Sequence, residues 1–188
     1  MPQSNHNLSL KRLGLIAGLA GLAIVWRVIN HKYGLAYNLE PITAITLLAA
    51  LMFGWRAGLI LPLVVLAVSD AMIGNSAIMA FTWSAFVLIG FGAGLMRKLN
   101  HYPASQLASS FGFAVISSTA FYVITNAGVW LQGYYAPGLE GLAASLAAGL
   151  PFYKTMLVGN LVLVPAATLA WQFYRLRSSA TSALEPAA

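Results

Sequence analysis

Apolar runs about as long as a bilayer is thick, separated by short polar segments, leave this chain few possible folds. A helix crossing a hydrocarbon core of roughly 30 Å needs about 20 mostly apolar residues, since each adds about 1.5 Å. Stretches such as "LGLIAGLAGLAIVW", "ITAITLLAALMFG", "LILPLVVLAVSDAMIG" and "LVLVPAATLAW" recur along the sequence. Inside lipid each backbone N–H and C=O must find a partner within its own segment, which a helix provides. Composition agrees: the 188 residues are 60% hydrophobic and only 7% charged, and the mean hydropathy is +0.78. The expected fold class is all-α, a polytopic membrane protein with about six transmembrane helices.

A polar tail over residues 1–12 leads through Lys11 and Arg12 into helix one, which ends near Arg27. No A-x-A-like site follows it, so it reads as a retained span rather than a removed signal peptide. Pro41 suits the first turn of helix two, with Asn38 or Glu40 near its cap. Helix two ends near Phe53, and after the "GWRAG" turn helix three runs to about Ile73. Helix four covers about 78–96, helix five about 106–126 and helix six about 152–174. The "LEGLAASLAAG" segment before helix six is too short to span and reads as a short interfacial or re-entrant helix. One transmembrane domain thus occupies 13–174, and 175–188 reads as a disordered tail.

The basic residues set the orientation. With the N-terminus inside, Lys11, Arg12, Arg56, Arg97, Lys98, Arg175 and Arg177 all fall on the cytoplasmic side, leaving Arg27, Lys32 and Lys154 outside. Both termini are then cytoplasmic, in a bacterial inner (plasma) membrane. The net charge of +6 flanks apolar spans instead of forming a patch, which argues against nucleic acid as a partner. The absence of cysteine excludes thiol chemistry and iron–sulfur clusters, and three scattered histidines give no metal site. No cofactor is expected. Without a Gly-x-x-x-x-Gly-Lys-Ser/Thr loop the chain does not itself hydrolyse ATP.

A charged side chain on a membrane helix is costly, so each one calls for a reason. Asp70, the chain's only aspartate, lies near the end of helix three, with Ala67 and Gly74 on its face. Arg27 ends helix one, Glu40 precedes helix two, Asn126 ends helix five and Lys154 starts helix six, all at the outer level. The inner halves of these helices carry almost nothing ionisable, a pattern of capture rather than pumping. Thr119, Tyr122, Asn126 and Trp130 form a polar and aromatic stripe on helix five. The candidate substrate-binding residues are therefore Asp70, Asn126, Trp130, Lys154, Glu40, Arg27, Tyr134 and Tyr135. Each has a structural alternative: an Asp70–Lys154 ion pair, a Glu40 cap, anchoring by Arg27 and Lys154, an interfacial belt for the aromatics. Small-residue spacings at Gly14/Gly18, Ala17/Gly21 and Gly90/Gly94 favour close helix packing, within the bundle or against a partner.

The segments "NLEPITAITLLAALMFG", "LPLVVLAVSDAMIG", "FYVITNAGVWLQGYYAPGLEGL" and "LPFYKTMLVGNL" resemble, in order and spacing, a family of small bacterial membrane proteins of transporter type, over residues 39–162. The matching positions are Asn38, Pro41, Ser69, Asp70, Asn126, Trp130, Pro151, Phe152 and Asn160. That family is similar to the S components of energy-coupling factor (ECF) transporters, compact six-helix proteins that capture vitamins or related micronutrients at the outer face. The resemblance implies an S-component-like bundle, a substrate beneath the outer loops, and an energising transmembrane subunit with ATPases as partner. Glycine stands in helix one where S components carry an alanine-x-x-x-alanine docking pattern.

The function expected from all this is transport: capture of a small polar or zwitterionic, vitamin-like nutrient at the outer side of the bilayer. The alternatives are a structural subunit of a membrane complex and an intramembrane enzyme. Ser76 in "GNSA" offers the latter a nucleophile, but no histidine sits in a helix to activate it, so no enzymatic activity is expected.

Overall fold

The computed structural model describes residues 2–74, 76–99 and 102–184, and these form six helices. They are α1 (Pro2–Tyr33), α2 (Ile42–Phe53), α3 (Trp55–Ile73), α4 (Met79–Leu99), α5 (Pro103–Leu131) and α6 (Leu139–Leu184). All but α2 are long and apolar enough to cross a bilayer. The chain is a polytopic helical membrane protein, as its apolar runs require.

The short helix is the centre of the bundle. At 12 residues α2 is about 18 Å long, and each residue from Ile42 to Met52 is buried. A helix with no charged residue and only two threonines among apolar side chains belongs in a core. Around it α1, α3, α4, α5 and α6 follow one another in a horseshoe, α1 packing on α3, α3 on α4, α4 on α5 and α5 on α6. The open side lies between α1 and α6.

Small residues set the closest approaches. Gly54, at φ 103°, both ends α2 and starts α3, so the chain reverses without a loop. Beyond it a methyl added at Gly90 of α4 would meet the Gly58 carbonyl oxygen at 2.8 Å, and one at Gly94 the Trp55 Cβ at 2.6 Å. The Gly90/Gly94 pair is therefore spent inside the bundle. The α1 set is not: Gly14, Ala17, Gly18 and Gly21 are exposed, and the three glycines have nothing within 4 Å of an added methyl. Gly90→Ala is expected to cost about 1–3 kcal/mol by overpacking two helix backbones, whereas Gly18→Ala should leave stability unchanged or raise it by up to about 1 kcal/mol. Thermal unfolding in detergent separates the two.

Polar side chains tie the interior together. The Asn160 amide of α6 donates to Ser118 Oγ of α5 at 2.9 Å and to Thr43 Oγ1 of α2 at 3.4 Å, the kind of interhelical bond that holds helices in a medium without a hydrophobic drive. Thr46 Oγ1, also on α2, is buried with no partner.

Several expected boundaries differ: α1 runs past Arg27 to Tyr33, so His31 is helical, and α5 extends from Pro103 to Leu131. The polar segment 1–12 is already helical from Pro2. The tail is helical as far as Leu184, and residues 185–188 lie outside the described residues, as do Asn75 of "GNSA" and Asn100 and His101 of the α4–α5 loop. The segment "LEGLAASLAAG" is not a separate interfacial helix but the first turns of α6, a 46-residue helix with Pro151 and Pro165 inside it. Proline suggests a break in sequence, yet membrane helices accommodate it where neighbours satisfy the freed backbone. Beside this part of α6 the two helices are tied together: Tyr122 Oη of α5 donates to the Leu146 carbonyl at 2.6 Å, and Ser145 Oγ of α6 donates to the Asn126 carbonyl of α5 at 2.8 Å.

Candidate functional site

The residues that end α1 build the site. Asn30 clasps the following loop, its amide donating to the Ala36 carbonyl at 2.7 Å while the Ala36 N–H donates back at 2.8 Å. Asn38 adopts a left-handed φ of 60°, and the Trp26 indole N–H donates to the Leu39 carbonyl. These contacts fold the α1–α2 loop back over its own helix, so that Glu40 lies beside Arg27.

Arg27 is the hub. Its Nη1 donates to Glu40 Oε2 at 2.8 Å, its Nη2 to Asp70 Oδ1 at 2.6 Å and its Nε to Ser69 Oγ at 2.8 Å. Trp83 of α4 completes the group, its indole N–H donating to Asp70 Oδ2 at 2.8 Å. Side-chain exposure is 12% for Arg27, 11% for Asp70 and 21% for Glu40, so Glu40 is the most open of the three charged members. Helix ends favour part of this layout: Glu40 precedes the positive end of α2, and Arg27 lies in the C-terminal part of α1. Asp70 is the exception, since it sits in the last turns of α3, where the backbone carbonyls repel a carboxylate. Arg27 and Trp83 offset that repulsion.

The cluster contains two carboxylates and one guanidinium, so it carries one negative charge in excess. It joins α1, the α1–α2 loop, α3 and α4 at one end of the bundle. Arg12, Arg56, Arg97, Lys98, Arg175 and Arg177 belong to the opposite end, where Arg12 reaches Tyr174 and Arg97 lies over the Gly54 turn.

Of the eight candidates, Arg27, Glu40 and Asp70 meet here. Glu40 is not a helix cap, because α2 has no side-chain cap bond and its carboxylate turns to Arg27 instead. Asp70 pairs with Arg27 rather than Lys154. Asn126, Trp130, Tyr134 and Tyr135 lie apart, since α4 packs between α3 and α5. The helix-five stripe faces the start of α6 and is bonded to it. Asn126 donates to its own Tyr122 carbonyl at 2.8 Å and presses on Gly149, Thr119 bonds Tyr153 at 3.0 Å, and Trp130 donates to the Ala136 carbonyl at 3.1 Å. Tyr134 is exposed and Tyr135 half-buried. Lys154 stands on the wall of the opening between α1 and α6.

Sequence reading missed Trp83, Trp26 and Asn30, and gave Ser69 no role in the site. Neither tryptophan has a local signal, because an indole becomes a site residue only through what its N–H meets across helices. Among the described residues no three His, Cys, Asp or Glu side chains gather where they would hold a metal ion.

The model of DUF6580, a family of unknown function, matches residues 7–183. No curated protein and no solved structure matches the chain.

Proposed function

The chain belongs to the DUF6580 family, which brings no activity with it, and from the geometry we propose that it captures a small zwitterionic nutrient at the outer side of the membrane for transport. The observation that supports this reading is the charge imbalance of the cluster: Arg27 alone faces both Glu40 and Asp70. A ligand ammonium at the more open Glu40 cancels the excess negative charge, and a ligand carboxylate takes the guanidinium N–H groups then released, a charge-assisted exchange that loses little on either side. A cation alone leaves Arg27 facing the incoming charge, and an anion alone worsens the imbalance. A zwitterion fits both halves.

The same exchange couples binding to movement. The Arg27 contacts clasp α1 to α3 and to the α1–α2 loop, so a ligand inserted among them loosens that clasp. Occupancy then shifts the population of bundle conformations by as much as the ligand's affinities for them differ. In this reading the chain is the substrate-binding S component of an ECF-type transporter or a solitary relative in a bacterial plasma membrane, without enzymatic activity of its own. A structural subunit is the second reading, favoured by the exposed glycine face of α1, which is available to another helix.

Native mass spectrometry of the protein purified in mild detergent tests the proposal. A retained small molecule bearing both an ammonium and an acid group, lost in Asp70→Asn, is the expected result. Retention of nothing, together with an unchanged melting temperature across a panel of amino acids, betaines and zwitterionic vitamins, overturns it.

A further inference from the structure

We propose that the slot between α1 and α6 holds one acyl chain of a bilayer lipid whose anionic headgroup is bound by Lys154. The open side of the horseshoe is a groove of about 1070 Å³. Leu19, Leu22 and Trp26 of α1 form one wall and Val158, Val162 and Ala166 of α6 the other, over a floor of α2. Trp26 gives it only a ring face, its N–H being held by Leu39. The Thr155 hydroxyl donates to the Pro151 carbonyl of its own helix at 3.2 Å.

Lys154 is then the one charged group on the lining, and it is exposed. Among the described residues no carboxylate forms an ion pair with it. Three of the chain's four acidic residues are among the described ones: Glu40 and Asp70 are engaged by Arg27, and Glu140 lies 14 positions earlier on the same helix, about 21 Å away along its axis. A lone cation at the mouth of an apolar slot calls for an anion with an apolar tail.

The shape of the slot selects a lipid over a helix. From Lys154 to Ala170 the lining runs about 24 Å along α6, short of the roughly 30 Å core that a spanning helix must cross. At its far end the slot is closed, because Arg12 of α1 donates to Tyr174 Oη of α6 at 3.3 Å and lies over the rings of Trp171 and Tyr174 at 5.8 and 5.3 Å. A transmembrane helix laid in the slot would collide with that bridge. An acyl chain entering beside Lys154 ends before it. Since the tail only exchanges one hydrocarbon surrounding for another, its burial selects nothing, and selectivity rests on the headgroup charge. Trp26, which holds the α1–α2 loop, also borders the slot, but Lys154 and Val162 touch no member of the Arg27 cluster, so the variants below separate failure of this site from failure of the transport reading.

The test uses the full chain in micelles containing equal amounts of phosphatidylglycerol and phosphatidylcholine with identical acyl chains, with bound lipid read by native mass spectrometry. Wild type should retain one lipid per chain with about a fivefold preference for phosphatidylglycerol, the effect of one lysine near an anionic headgroup. Lys154→Gln should abolish the preference without changing the melting temperature, and Val162→Trp, which fills the slot, should lose both lipids. Equal retention by wild type, or a preference that survives Lys154→Gln, overturns the proposal. A photoactivatable phosphatidylglycerol with its reactive group in the acyl chain gives a second readout on the unmodified protein. Crosslinks at Val158 and Val162 support the site, while crosslinks spread over the outer faces of α3 and α4, or a slot covered by a second protein chain, overturn it.

Discussion

Arg27→Gln is expected to destabilise the bundle by about 3–5 kcal/mol, the cost of removing one partner from a buried ion pair. Glutamine keeps the length and part of the hydrogen bonding but removes the charge, so Asp70 and Glu40 are left as two carboxylates with no cation between them. Asp70→Asn does the reverse. It leaves the Arg27–Glu40 pair intact and the cluster neutral, so its cost is that of a weakened hydrogen bond, about 1–2 kcal/mol. The double variant Arg27→Gln/Asp70→Asn should therefore recover part of the loss, with a coupling of about 0.5–3 kcal/mol. Arg27→Lys is no rescue, because an ammonium cannot hold Ser69, Glu40 and Asp70 in the directions of a guanidinium fork. Reversible unfolding in mixed micelles measures all four proteins. An Arg27→Gln variant as stable as wild type would mean that the cluster does not clasp the helices.

What was legible in the sequence follows from what a linear pattern encodes. The end of an apolar run is legible, and the nearness of Arg27, Glu40 and Asp70 to such ends is consistent with their meeting. Rotation around the bundle is not encoded, because it depends on which helices are neighbours. Lys154 faces the α1–α6 opening and not Asp70 for that reason alone. Asn126 is also read near such an end, yet α4 stands between it and Asp70, and its side chain is used against Gly149.

The helices themselves were readable by type, since the apolar runs admit little else, but two of their properties were not. "ITAITLLAALMFG" reads as a span like the others, and its central position shows only in the absence of any charged or strongly polar face beyond its two threonines. That absence is visible in the letters, but its meaning depends on five other helices being present to surround it. The small-residue spacings are similar. Gly14/Gly18 and Gly90/Gly94 are the same signal, yet one faces outward and the other carries the α3–α4 contact. A glycine pair states that a close approach is possible, and only the partner's location decides whether it happens.

Glu40→Gln is expected to lower affinity for a zwitterionic ligand by about 10- to 100-fold, because a hydrogen bond to a charged group contributes about 1.5–3 kcal/mol. The substitution isolates ligand attraction from stability. Arg27 and Asp70 remain paired at 2.6 Å, Trp83 still donates to Asp70, and Ser69 still accepts from Arg27, so the clasp between α1, α3 and α4 survives. What disappears is the excess negative charge, at the most open of the three charged members. The variant should melt within about 1 kcal/mol of wild type, since an amide oxygen accepts from Arg27 in place of the carboxylate. Isothermal titration in detergent with the molecule retained by the wild-type protein gives the affinity ratio. Raised salt should weaken wild-type binding more than that of Glu40→Gln, since only the wild-type site presents a net charge to be screened. Equal affinities at low salt would show that the excess charge attracts no ligand, and would leave the cluster as a clasp between helices alone.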